Sequence, residues 1–318
     1  MTMNRFFYEL VSAKPLSFFR AVWGMFLIYY YLDAYWILQF HYGPEGIHDT
    51  AGLGTTPPIL QWSLFYYLSP QPVMFPLIYG LAILSSLGLC LGLKTRACSV
   101  VSWICTISLI TPLHWGANGA DGVVKILAFL FMVCGVAGYT AHYFSLDAAR
   151  PREKGESEKD ALLIPSWTYR LFQIQLCAIY LSSGLQKAGA TQWKSGTAMS
   201  SVLQQTESWM RYDFTTLCDY PAVIALLTTS ALLFELILFP VLVWISRTRL
   251  IALGLGVAFH LAILLTMRVF NYTEVMIVFY LCFLTGKEVD TVVTAVLNSG
   301  RNLRKRFKRP KLLKRVMR

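Results

Sequence analysis

An all-α, polytopic transmembrane bundle of about eight spans, with short interfacial helices beside them, is the fold this sequence predicts. Three observations carry that expectation. Apolar runs of spanning length recur along the chain, charged residues are scarce inside them, and Lys and Arg collect in alternate connections. Of the 318 residues 56% are hydrophobic and only 14% charged, with a mean hydropathy of +0.51. One water-soluble domain cannot hide that much apolar surface, so lipid is the expected solvent.

A spanning helix needs about 20 mostly apolar residues. Candidates lie near 16 to 40, 72 to 93, 97 to 114, 122 to 141, 166 to 186, 221 to 246, 250 to 267 and 270 to 286. The run PILQWSLFYYLSP, residues 58 to 70, is short and aromatic and reads as an interfacial helix. The N-terminal MTMNRFFYELVSAKP lacks the apolar core and small-residue cleavage site of a signal peptide, so the first span is expected to act as its own insertion signal. Residues 149 to 166 form a charged linker that divides the spans four and four. Gly88 and Gly92 supply one GxxxG helix-packing motif in the second span.

Orientation follows from counting Lys and Arg in the connections. With the N-terminus inside, 21 of the 28 fall on the inner side, four on the outer side (Lys187, Lys194, Arg211, Arg268) and three within spans. The expectation is a multi-pass protein of the cell membrane with both termini cytoplasmic. The net charge of +11 does not point to nucleic acid, because eleven of those 28 residues lie between Lys287 and Arg318. A basic tail beside a last apolar segment is a topology signal and a match for anionic headgroups. The seven cysteines show no CxxC pair and no Cys/His ligand spacing, so neither a metal site nor a disulfide framework is expected.

Ionisable groups inside spans cost a few kcal/mol each on insertion scales, so they face the bundle interior and mark function more often than chance. Here they are Arg20, Asp33, Lys125, Glu235, His260 and Glu274, with Lys187 at the outer end of the fifth span. Any one of them can be helix glue or a snorkelling side chain; together they suggest a polar chamber. Lys187 sits in YLSSGLQKAGATQW, at the end of an apolar helix and before an interfacial Trp193. An amine partly withdrawn from water can serve as a base, while spacing alone fits a snorkelling lysine as well. His260, in LGVAFHLAILL, can be a singly bonded core imidazole, a ligand contact or a proton relay. In HWGANGADGVVK, Asp121 stands at the start of a helix, either as a cap or, with His114 and Asn118, lining the same outer chamber as Lys187.

Four stretches resemble the HTTM (horizontally transferred transmembrane) domain proteins, which are related to vitamin K-dependent gamma-carboxylase. They are SFFRAVWGMFLIYYYLDAYWILQFHYGPEGI with Arg20 and Gly24, NGADGVVKILAFLFMVCGVAGYTAHYFSLDA, YLSSGLQKAGATQWKSGTAMSSVL and FHLAILLTMRVFNYTEVMI around His260. The third, an intramembrane lysine followed at fixed spacing by Trp and Gly-Thr-Ala, is the most specific. The resemblance runs from about residue 16 to 286. It implies an HTTM-like membrane domain over 1–290, with 291–318 as a basic cytoplasmic tail.

In the carboxylase a lysine in the matching motif is held to deprotonate reduced vitamin K, and the resemblance puts Lys187 in that role, with His260 at a polar position near the same cavity. It implies a reduced isoprenoid quinone as cofactor; His114, Asn118, Asp121, Trp193 and Arg20 are the expected ligand-binding set. The carboxylase continues into a large soluble domain that helps bind its protein substrate, whereas a basic tail follows the last span here, so protein gamma-carboxylation is not the expectation. Two readings follow. One is a quinol- or lipid-dependent membrane enzyme using Lys187 as general base; the other is a non-enzymatic accessory protein that binds lipid or escorts a secreted peptide during maturation or export. The first is preferred, with membrane lipids and a secreted peptide as the expected partners.

Overall fold

The computed structural model describes residues 3–43, 46, 62–66, 73–112, 118–148 and 162–307. Two compact units divide the chain, Met1–Phe283 and Leu284–Arg318. Within the first, every predicted apolar stretch is helical: α2 (Lys14–Tyr42), α3 (Met74–Leu91), α4 (Thr95–Ile110), α5 (Gly119–Val136), α6 (Trp167–Gly189), α9 (Pro221–Leu233) continuing into α10 (Phe239–Leu242), α11 (Arg249–Thr266) and α12 (Tyr272–Tyr280), which ends in a 3-10 turn, Leu281–Phe283. Short α1 (Met3–Tyr8), α7 (Thr191–Lys194) and α8 (Ala198–Leu203) complete this unit, and α13 (Gly286–Phe307) lies in the second.

Five of these helical segments are long and apolar enough to cross a membrane: α2, α3, α5, the continuous Pro221–Leu242 and α11. At 16 residues α4 is short, as is Tyr272–Phe283. The 23 residues of α6 have the length, but Arg170, three glutamines and Lys187 lower their hydropathy. Large apolar side chains point outward along the helices, with Trp36 77% and Leu226 68% exposed. Surface of that kind is stable only against lipid or another protein, and the molecule is a multi-pass membrane protein.

Helices α2 to α5 pack in sequence, each against the next. Gly24 lets α2 lie directly on the α3 backbone, where a Cβ would collide with Ser86 O and Cys90 N. The expected GxxxG motif divides: Gly88 faces Cys98 of α4, while Gly92 ends α3 in a left-handed conformation (φ 68°) that glycine adopts without strain. Two three-residue strands, β1 (Leu10–Ser12) and β2 (Leu163–Pro165), pair antiparallel with Val11 opposite Ile164. The all-α reading did not anticipate them, because runs this short carry no detectable period.

Residues 62–66 of the expected interfacial helix contain only a 3-10 turn, Leu64–Tyr66. It is fixed by Phe65, stacked on Tyr42 at 4.4 Å, and by the Ser63 hydroxyl, which donates to Ser108 O at 2.9 Å. The rest of that run, and most of the 149 to 166 linker, lie outside the described residues.

The polar groups at the helix ends fall into two sets. At one end Arg20 of α2 donates to Leu89 O of α3 and to Phe144 O. There the 143–148 segment caps both neighbouring helices. Leu146 N and Asp147 N donate to Leu91 O and Gly92 O at 3.1 and 2.9 Å, and the Asp147 carboxylate accepts from Lys94 N and Thr95 N at 2.9 Å each and from the Thr95 hydroxyl at 3.1 Å. Carbonyls at a helix C-terminus and amides at an N-terminus lack intrahelical partners, and this one segment serves one helix of each kind. The opposite end holds Asn118, Asp121, Lys187 and Asn271.

Candidate functional site

Lys187 lies in the last turn of α6 and Glu235 in a π turn, Phe234–Leu238, between α9 and α10. Pro240 follows that turn. A proline there has no N–H to offer and crowds the carbonyl four residues back, so the ladder widens upstream instead of continuing as α-helix. Gly184, one turn before Lys187, makes room for the widened turn: a Cβ on it would lie 2.8 Å from Leu236 Cγ and 3.1 Å from Leu236 N. The Gly-Leu-x-Lys motif is thereby a packing device as well as a chemical one. The glycine admits the π turn, and the turn presents the carboxylate to the lysine.

Lys187 Nζ donates to Glu235 Oε1 at 2.6 Å and also contacts Oε2; it donates to Ser183 Oγ at 2.9 Å and lies 5.4 Å from the Trp193 ring centre. The carboxylate is buried and the amine is partly open. Both line a cavity of about 600 Å³ whose other walls, among them Phe234, Phe259 and Tyr272, are mostly apolar. That volume and lining suit a drug-sized, lipid-soluble molecule with one polar end.

The loop after α6 closes one side of this cavity. Trp193 from α7 and Met199 and Val202 from α8 line it. Gly196 takes a left-handed conformation (φ 74°) against Ala225, Ala198 is buried, and Met199 N donates to the Thr228 hydroxyl at 3.1 Å. Trp-x-x-Gly-Thr-Ala therefore turns the chain back onto α9, as expected of a segment packed on the bundle.

His260 is fully buried behind Phe259 and Tyr272 and does not line the cavity. Its Nε2 is 2.7 Å from the Tyr180 hydroxyl, which also bonds the Tyr280 hydroxyl, and its Nδ1 has no partner among the described residues. Tyr180 lies two turns before Lys187 on α6, so the same helix face carries both features.

The remaining candidates separate from this cavity. Asn118 and Asp121 form a capping box: Ala120 N donates to Asn118 Oδ1 and Asn118 N to Asp121 Oδ2, both at 2.7 Å. Asp121 also accepts from the Tyr30 hydroxyl at 2.6 Å. Neither lines the cavity, although a Cβ on Gly119 would lie 3.4 Å from the Tyr272 ring. Arg20 is held by carbonyls at the opposite end of the bundle. His114 lies outside the described residues. Of the expected set, Lys187 and Trp193 meet in one cavity, with His260 one layer behind.

Sequence reasoning noted Glu235 as an intramembrane charge but did not pair it with Lys187. The signal was an acid five residues ahead of a proline in FELILFP; the predicted spans put Lys187 at an outer end and Glu235 near mid-span, so sequence depth alone does not join the two.

No curated protein and no solved structure matches the chain. The HTTM domain family model matches residues 8–285, which include both strands, the capping segment, the π turn and every cavity-lining residue, and the chain therefore belongs to the HTTM domain family.

Proposed function

We propose that this protein is a membrane-embedded enzyme that takes a proton from a lipid-soluble, acidic hydroxyl in the cavity, with Lys187 and Glu235 acting as one proton-handling unit. The observation that carries the reading is the Lys187–Glu235 pair in the wall of a mostly apolar space of about 600 Å³. An ion pair in such a wall has lost much of its hydration, so proton transfer within it, from ammonium to carboxylate, removes two poorly solvated charges together. The amine facing the cavity is placed to take a proton from an acidic ring hydroxyl there. Ser183 Oγ orients Nζ, and Trp193 lies where a cation re-formed on Lys187 can rest against a ring face.

The cavity and donor set suit a reduced isoprenoid quinone, which would supply an acidic ring hydroxyl and an apolar tail. The second reading, an accessory protein for a lipid or a secreted peptide, is favoured by Lys187 already having a carboxylate, a hydroxyl and a ring as partners, the pattern of a purely structural pair.

Lys187→Arg separates the two. Guanidinium stays protonated, so the enzyme reading expects function to fall at least about a hundredfold with the detergent melting temperature nearly unchanged. A fully active Lys187→Arg protein removes the base and leaves the accessory reading. Lipid extraction of the purified protein is the companion measurement, with a co-purifying quinone expected.

The full arrangement proposed is eight crossings with both termini and the 149–166 linker in the cytoplasm and residues 188 to 215 outside. The grouping of helix ends supports it: the ends near Lys14, Lys94 and Arg96 share one end of the first unit, and those near Lys187 and Arg268 share the other.

A further inference from the structure

A second cavity, of about 260 Å³, sits at the corner where α11 meets α12, and it shares no lining residue with the first. Asp33, Glu274, Arg211 and Arg268 all line it. Among the described residues none of these carboxylates pairs with either arginine. Two charges of each sign thus face one small space without neutralising one another.

Asn271 supplies the second observation. It is only 7% exposed, it lines the cavity, and its backbone is left-handed (φ 57°). Its Nδ2 donates to Asp33 Oδ2 at 3.0 Å, which fixes the amide's orientation and leaves Oδ1 as an acceptor without a donor. Glu274 Oε2 is likewise shielded and without a donor. The order Asn271-x-x-Glu274 is that of a capping box, yet no side-chain cap forms on α12. Glu274 complements the positive end of that helix, but the dipole gives its oxygen no N–H. A buried acceptor without a donor has given up its water hydrogen bonds with no replacement, so a group that brings several N–H bonds into this space gains more than one that brings none.

We propose that the cavity binds the headgroup of an aminophospholipid, its primary ammonium donating to Asn271 Oδ1, Glu274 and Asp33 and its phosphate against Arg268 and Arg211. The arginines supply the anion site, with Arg211 anchored through Nε to Leu264 O and Met267 O at 2.8 and 2.9 Å. A lipid and not a free zwitterion is the occupant because Phe270 lines the same cavity while 64% exposed and Leu265, next in sequence to the lining residue Leu264, is 66% exposed, positions suited to acyl chains. The corner also lies at a helix end, where headgroups are found.

The test is competition on the purified full-length protein in nanodiscs, read by native mass spectrometry and melting temperature. The competitors are phosphatidylethanolamine, its N-methyl and N,N-dimethyl forms, and phosphatidylcholine. Each methyl group removes one N–H while charge and phosphate remain, so binding should weaken stepwise, by about tenfold or more overall. Glu274→Met should keep the fold, since no hydrogen bond of that oxygen is lost, and should flatten the series. Arg268→Ala, at an exposed position, should weaken all four lipids about equally. Lys187→Arg should leave the series unchanged, which separates this site from the other cavity. Equal binding of the ethanolamine and choline lipids, a series that survives Glu274→Met, or equal occupancy by soluble phosphoethanolamine would each overturn the proposal.

Discussion

At the scale of single residues, Lys187 and Glu235 are fixed by geometry that neither could create alone. The carboxylate is buried, so removing the lysine strands a charge. Lys187→Met should therefore lower stability by about 3 kcal/mol, seen as a lower melting temperature in detergent. Adding Glu235→Leu should recover most of that loss, because two apolar side chains can replace a buried pair at little cost. The double variant should be folded and inactive under the enzyme reading. If it regains function along with stability, the pair is structural only. Gly184 belongs to the same unit, since any Cβ there pushes the π turn, and with it Glu235, away from α6. The intramembrane charges were legible in the sequence as single letters; their partners were not, because 48 residues separate Lys187 from Glu235.

At the scale of elements, each apolar run in the sequence became a helix, since apolar length is a local property that the sequence displays directly. What happens at helix ends was less visible. The Ser-Leu-Asp finish of the second motif, residues 145 to 147, proves to be a clip joining α3 to α4. Asp147→Ala should cost about 2 kcal/mol, from a lost N-cap carrying two backbone amides. Hydrogen exchange at the amides of Lys94 and Thr95 should rise more than at the centre of α4. Uniform exchange across α4 would count against the clip. The Asn-Gly-x-Asp start of that motif is a capping box, one of the two alternatives the sequence left open. The Asn271-Tyr272-Thr273 sequon is closed off by packing, since Asn271 is buried and bonded to Asp33.

At the scale of the whole molecule, reporter fusions at residue 155 and in the basic tail should read as cytoplasmic, and fusions at residue 205 as external. An external tail would invert the proposed orientation of both cavities. The sequence by itself determined that this is a multi-pass helical membrane protein and which family it belongs to, because hydropathy, positive charge and short motifs are written along the chain. Even Lys187 was marked in advance, as an amine where amines are costly. Only the tertiary structure decided that Arg20, Asn118 and Asp121 serve helix ends while Lys187 and Trp193 meet in a cavity. It alone placed Glu235 against Lys187, through a π turn that needs Pro240 on one helix and Gly184 on another. A polar residue in a span declares its cost locally, but the group that offsets that cost sits on a different helix, and only packing chooses it.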